Sequence, residues 1–398
     1  MDSPAVEPTM RDRMIAVLKG ERPSRLPFVD RLEVWYKSHR RAGTLPPEFR
    51  DLSLPEIHRA VGMGQQKFVN PYGLRLRGVE VIARFEGDVF YHETDPILDS
   101  FPGLWDLVST EKAGVTATEL RTRVGKLSVR HEALAETIAK GQDPYMKEHL
   151  IKDEADLRTV AYILERAEYV ARYDRVRAAE AEVGDMGFVV PLLHRIPFQQ
   201  ALLEYLGEVP LFYALYDNPA MVARLLELLD EQLTDILRRL AELPVLYVEF
   251  PDNLHGGMTS PRLFAEHCLP YYQRYSQILH GQGKVMGSHT DGDVKPLLAL
   301  LPESGLDVCE SFSPAPLTEC TFEEAWQAWS QRPIIWGGIP SPLLEERIPE
   351  SEFRDYVRRL LELVADRPFI LGVGDMVVAI NSIERVRYIA GLVAAGAP

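Results

Sequence analysis

The run at residues 285–316, VMGSHTDGDVKPLLALLPESGLDVCESFSPAP, decides how the rest of the chain is read. Residues 284–288 form a candidate buried strand, followed by the polar cluster His289-Thr290-Asp291-Gly292. A short amphipathic helix is expected next, then a second strand at 306–309 that ends in Glu310. Apolar runs bounded by turn residues, with a helical pattern between them, mark a parallel β-α-β unit. The apolar runs have no need of His289, Asp291 or Glu310 to form strands. In a parallel barrel the carboxyl ends of the strands form one face, and that face carries function.

Working outward, the same alternation recurs. Residues 153–171 read as a strong helix with Asp153 as its N-cap and Leu157, Val160, Leu164 and Ala167 on one face. A second helix is expected to end near Val183, and residues 187–193 read as a strand ending at His194. Helices are expected at 198–206 and 219–243, and a strand at 245–250. Ser260 caps a helix with Pro261 at its first position and an expected end near His280. Towards the C-terminus, helices at 322–329, 351–364 and 383–394 separate strands at 334–336 and 369–372, the latter followed by Gly374-Asp375. Before these elements come an amphipathic helix at 10–19 and a first strand at 25–28, with Asp30 and Glu33 just beyond it. Residues 40–110 are broken by Pro46-Pro47, Asn70-Pro71-Tyr72-Gly73 and Glu86-Gly87, and a hairpin is expected to turn near Gly125.

The count is seven candidate parallel strands, with the eighth to be sought before residue 140. Polar residues end nearly every strand, whereas an open sheet would gather them at one switch point. The reading is therefore α/β, a (β/α)8 TIM barrel with an N-terminal extension or insertion. Residues 1–150 would carry the first barrel strand and the cap or insertion, and residues 151–398 the rest of the barrel and the site.

Composition narrows the class. Of 398 residues, 46% are hydrophobic, enough for a large core. A formal net charge of −15 argues against a nucleic-acid or anionic membrane surface. Cys268, Cys309 and Cys320 include no CxxC pair, so neither a disulfide framework nor a thiolate-rich zinc motif is expected. With no signal-peptide core and no apolar run of bilayer length, a reducing cytoplasm is the expected location.

Collected, the strand-end set is Asp30, His194, Glu249, Asp252, His289, Asp291, Glu310 and Asp375. Carboxylates with an imidazole can hold a metal or do acid–base work. Asp30 and Asp252 also suit helix N-caps, and Asp291 suits a turn before Gly292. Glu310 follows Val308-Cys309 directly, where a poorly solvated carboxylate needs a cation beside it. His289, Asp291 and Glu310 together therefore weigh more than any one of them. The glycines in GGIPS and GVGD match neither dinucleotide nor P-loop patterns, no GxSxG elbow occurs, and Cys309 reads as core.

Four blocks resemble the uroporphyrinogen decarboxylase superfamily: RDRMIAVLKGERPSRLPF, TSPRLFAEHCLPYYQRY with HGQGKVMGSHTDGDVKPLL, GLDVCESFSP, and ILGVGDMVVAINSIERVRYIAGLV. The resemblance implies a (β/α)8 barrel. In place of the decarboxylase branch's arginine-rich N-terminal motif, this chain has Asp30-Arg31-Leu32-Glu33. The zinc methyltransferase branch is the better match. It implies a metal on a His-x-Cys pair after one strand, a Glu after the next, and a Cys near the last. His289, Asp291, Glu310 and the neighbourhood of Asp375 stand at those places, so both thiolates are replaced. Such a harder ligand set suits polarising an ether oxygen rather than activating a thiol.

The chain looks most like corrinoid-dependent O-demethylases. That likeness implies Zn2+ held by His289, Asp291, Glu310 and Asp375, with His289, Glu310 and Asp291 catalytic. His194, Glu249, Asp252 and Asp30 would line the substrate pocket, and Glu249 or Asp252 could replace Asp291 or Asp375 as ligand. The implied partners are a methoxylated, aromatic small molecule and a separate protein carrying the corrinoid (cobalamin), with a homodimer allowed. Two alternatives stand beside it: a metal-independent decarboxylase-like lyase and a non-catalytic tetrapyrrole- or corrinoid-binding barrel.

Overall fold

The computed structural model describes residues 7–99, 104, 108, 110 and 112–396. Eight parallel strands build the barrel: β1 (Val29–Asp30), β2 (Gly64–Val69), β3 (Gly187–Pro191), β4 (Tyr247–Phe250), β5 (Val285–His289), β6 (Val308–Phe312), β7 (Ile334–Pro340) and β8 (Phe369–Gly374). β1, β2 and β3 pair in that order, as do β4 through β8. The circle closes where the Leu371 N–H donates to the Pro27 carbonyl at 2.9 Å, and where β3 packs beside β4. The strand missing from the sequence reading is β2, GQQKFV, whose two glutamines hide the apolar run.

The amino end of the barrel is apolar. Helix Met10–Leu18 lies across it and buries Met10, Met14, Val17 and Leu18, a helical spacing that puts all four on one face. They join Val29, Phe188, Val190, Tyr247, Val308, Ile334, Trp336 and Ile370 in a core of their own. Gly64 permits the approach, because a Cβ there would stand 2.7 Å from Met10 Cγ and 2.8 Å from Val29 Cγ2.

Between β2 and β3 the chain leaves the barrel. Tyr72–Leu76 pairs antiparallel with Ala167–Ala171, and a five-stranded antiparallel sheet forms from Glu80–Phe85, Asp88–Thr94, Gly114–Arg121, Lys126–Ala133 and Tyr145–Glu148. The hairpin near Gly125 is present, its turn closed by the Thr122 N–H on the Gly125 carbonyl at 2.9 Å. The first 150 residues thus carry two barrel strands and most of this insertion.

Several elements depart from the sequence reading. Asp153 does cap its helix, but the helix stops at Leu164 and residues 167–171 form a strand. Tyr169 and Val170 favour extended backbone, and the strand Tyr72–Leu76 offers hydrogen bonds that a helix would forgo. The helix after Ser260 breaks at Cys268, because Pro270 lacks an N–H and disfavours the preceding turn. Between β5 and β6 the expected helix is two 3-10 turns, Lys295–Leu297 and Pro302–Ser304, each with proline at its start. The expected helix at 198–206 is split into Pro197–Gln200 and a π-turn, Ala201–Tyr205. Neither Asp30 nor Asp252 caps a helix: the helix after β1 has Leu32 at its N-cap, and the one after β4 has Ser260.

Candidate functional site

Register places the central pair. β5 and β6 align His289 beside Glu310, so both side chains point into the barrel mouth from neighbouring strands. His289 Nδ1 and Glu310 Oε2 are 2.5 Å apart. The other ring nitrogen, Nε2, faces Asp291 Oδ2 at 3.8 Å and Asp375 Oδ1 at 3.7 Å. These three groups form one potential metal set, and Glu249, His289 and Glu310 form a second that lies deeper. Burial would lower the His289 pKa, but the Glu310 charge, the nearby Asp375 carboxylate and the Glu310 hydrogen bond outweigh it and raise it to about 10.

Glu249 stands one layer below, since β4 registers it against Gly287, two residues before His289. Tyr247 Oη and Gln66 Nε2 both donate to its Oε2, at 2.9 and 2.7 Å. Gly287 leaves room for that tyrosine, because a Cβ there would stand 2.1 Å from its hydroxyl oxygen. Burial, reinforced by the Glu310 charge, pushes the Glu249 pKa up to about 8. The carboxyl is therefore largely protonated near neutrality.

Asp375 sits just past β8 at φ +67°, and its N–H donates to Ser311 Oγ at 2.5 Å. Ser311 (φ +60°) and Asn253 (φ +51°) are also left-handed. Three non-glycine residues in that costly region around one mouth aim side chains that a regular strand end would send elsewhere. The Asp375 carboxylate has a lowered pKa: partial burial opposes the shift, and His289 and Arg31 overcome it.

The remaining candidates are spread more widely. Asp30 receives the Arg31 N–H at 2.6 Å and the Val373 N–H, pinning β1 to β8. Asp252 is fully enclosed, with Oδ1 on the Ile196 N–H at 2.8 Å and Oδ2 on Tyr272 Oη at 2.5 Å and Ser288 Oγ at 3.1 Å. His194 bonds Tyr169 Oη through Nε2 at 3.0 Å, and burial drives its pKa down to about 4. The structure thus gathers His289, Asp291, Glu310, Asp375 and Glu249, while Asp30, Asp252 and His194 stand outside both sets.

Arg31 and Gln66 escaped the sequence reading as site residues. Arg31 reaches over the mouth, donates from Nη2 to the Asp375 carbonyl at 2.7 Å, and lies over the Phe68 ring at 5.5 Å. Its place directly after the first strand is a signal that could have found it. Gln66 gave none, because β2 itself was hidden.

This barrel, with a histidine–carboxylate cluster at the carboxyl ends of its strands, belongs to the uroporphyrinogen decarboxylase family. The family profile, uroporphyrinogen decarboxylase (URO-D), matches residues 137–395, more than half of the chain. Among solved structures, a methyltransferase from Methanosarcina mazei matches at 15% identity and a TM-score of 0.61, over 98% of this chain and 99% of that one. That likeness is one of fold. A D-psicose 3-epimerase from Clostridium cellulolyticum aligns at 10% identity over 56% of this chain and 82% of its own, with a TM-score of 0.35. No curated protein matches the chain. Among the described residues, no helix is long and apolar enough to cross a membrane.

Proposed function

We propose that the chain is a zinc-dependent methyltransferase that moves a methyl group from a methoxylated, aromatic small molecule to a corrinoid carried by a separate protein. One observation carries the reading: a buried imidazole whose Nδ1 is held by a carboxylate and whose Nε2 faces two more carboxylates at 3.7 and 3.8 Å. Tetrahedral zinc sets nitrogen and oxygen ligands roughly 3.4 Å apart, so only a small adjustment separates these groups from coordination. A ligating histidine commonly gives its second ring N–H to a carboxylate. His289, Asp291 and Asp375 would hold the ion, with Glu310 orienting the ring in the metal-loaded state. Glu310 and Glu249 form the alternative inner set.

Bound zinc would supply Lewis acidity towards the ether oxygen of the substrate. The chain's own residues do the rest. Glu310 fixes the tautomer and angle of His289. Tyr247 and Gln66 hold Glu249, whose raised pKa keeps a proton available beside the site for the departing oxygen. Arg31 offsets part of the negative charge gathered at the mouth. The Methanosarcina protein, similar in fold over nearly the full length of both chains, is a methyltransferase, which agrees with a transferase reading of this barrel.

Purified protein analysed for metal, then assayed for methyl transfer from a methoxyarene to cob(I)alamin, tests the proposal. About one equivalent of zinc and methylcobalamin formation are expected. A chain that holds less than about half an equivalent after zinc reconstitution, and forms no methylcobalamin, would overturn it.

A further inference from the structure

Three consecutive strand-end loops are tied together beside the cluster. The loop after β3 supplies Arg195, the loop after β4 supplies Asn253, and the loop after β5 supplies Asp291. Asn253 Nδ2 donates to Asp291 Oδ2 at 3.3 Å, and that oxygen is the one facing His289 Nε2. Arg195 Nη1 donates to Asn253 Oδ1 at 2.7 Å, and its Nε donates to Glu204 Oε1 at 2.9 Å. Glu204 is buried in the π-turn Ala201–Tyr205, a local widening of the helix often found near functional sites.

The arm has a rigid base. Next to Asn253, Asp252 is locked by Ile196, Tyr272 and Ser288, and the Leu254 N–H donates to the carbonyl of His289 at 3.2 Å. Asn253 itself is exposed yet held at φ +51°, a conformation asparagine tolerates better than most residues. An exposed side chain that only satisfied its own turn would not need a guanidinium on its carbonyl oxygen. Here Arg195 fixes which end of the amide is oxygen, so the NH2 group must point at Asp291.

We infer that Arg195 and Asn253 are positioning residues that hold Asp291 in place to bind a divalent cation with His289. The inference rests on the metal reading proposed above. The amide donor removes one rotational freedom from an otherwise partly exposed carboxylate, and Arg195, anchored on Glu204, keeps the amide from turning over. Outer partners of this kind commonly change metal affinity by about 10–100-fold.

The test is zinc affinity, measured with Zn2+ alone against a chromogenic chelator, alongside thermal unfolding of the metal-free protein. Asn253→Gly keeps the left-handed backbone and deletes the amide, and should weaken zinc binding about tenfold with an unchanged metal-free unfolding temperature. Arg195→Gln leaves Asn253 in place but removes the guanidinium that fixes its amide, and should weaken binding less than Asn253→Gly does. A merely structural role would not produce that order. If wild type binds zinc and both variants bind within twofold of it, the inference falls while the metal site stands. If wild type takes up no zinc, the metal reading falls and the inference with it.

Discussion

The two ends of the barrel are built on the same eight strands and have opposite chemistry. At the amino end, Met10, Met14, Val17 and Leu18 cover an apolar core, and a buried histidine nearby, His58, has its pKa driven down by burial to about 4. At the carboxyl end, His289 is equally buried and its pKa is raised to about 10, because Glu310 and Asp375 stand against it. Burial alone disfavours charge in both places, so the difference comes from the neighbours. One end is built for packing. The other concentrates charge that packing does not require, the feature that singles it out as the candidate site.

That contrast can be broken by experiment. His289→Ala should lower zinc affinity by more than about 100-fold, beyond the range typical of outer partners, and methyl transfer should fall with it. Chelator competition and the cob(I)alamin assay measure the two, and retained tight binding would move the ligands elsewhere. Met14→Ala should do the reverse, costing about 2–5 kcal/mol of stability through an unfilled cavity with zinc affinity unchanged. Urea unfolding reads the first quantity, and a parallel loss of zinc would show that the two ends are not independent.

Acid should expose the amino-end histidine. His58 titrates near 4 when folded and near 6.5 when unfolded. Its neutral form therefore contributes stability above pH 6.5 that is lost progressively as pH falls towards 4, up to about 3 kcal/mol. His194, also held near 4, adds in the same direction. In the metal-free chain His289 acts oppositely, contributing below pH 6.5 and losing that contribution as pH rises through about 10. Unfolding midpoints between pH 4 and 7 should shallow in a His58→Phe variant, and an unchanged slope would contradict the assignment. The smallest expected effect is that of Glu310→Gln. It keeps an oxygen against Nδ1 but removes the charge, and should weaken zinc binding about tenfold. A loss as large as that of His289→Ala would make Glu310 a ligand rather than an orienting partner.

The local pattern revealed much of this barrel and failed at identifiable places. Helices Phe322–Trp329 and Ile383–Ala394 were readable to the residue, because their apolar spacing is regular, and a Thr321–Glu324 capping box starts the first. Strand β2 was not, since Gln65 and Gln66 interrupt its apolar run and Gln66 is present for Glu249 rather than for the strand. Residues 167–171 were misread as helix because only a distant strand, Tyr72–Leu76, supplies their hydrogen bonds. Glu310 was legible as a carboxylate out of place, whereas Asn253 and Arg31 looked like ordinary loop residues.

The sequence by itself determined the alternation of strands and helices, hence the barrel, and it marked His289, Asp291, Glu310 and Asp375 as polar groups at strand ends. Those follow from periodicity and from residue types that a core does not tolerate alone. Only the tertiary structure decided that Glu310 faces Nδ1 while Asp291 and Asp375 face Nε2, that Glu249 lies one layer beneath, and that Asn253 reaches Asp291. Register between neighbouring strands and the left-handed turns at Asn253, Ser311 and Asp375 set those directions, and both depend on contacts between segments far apart in the chain.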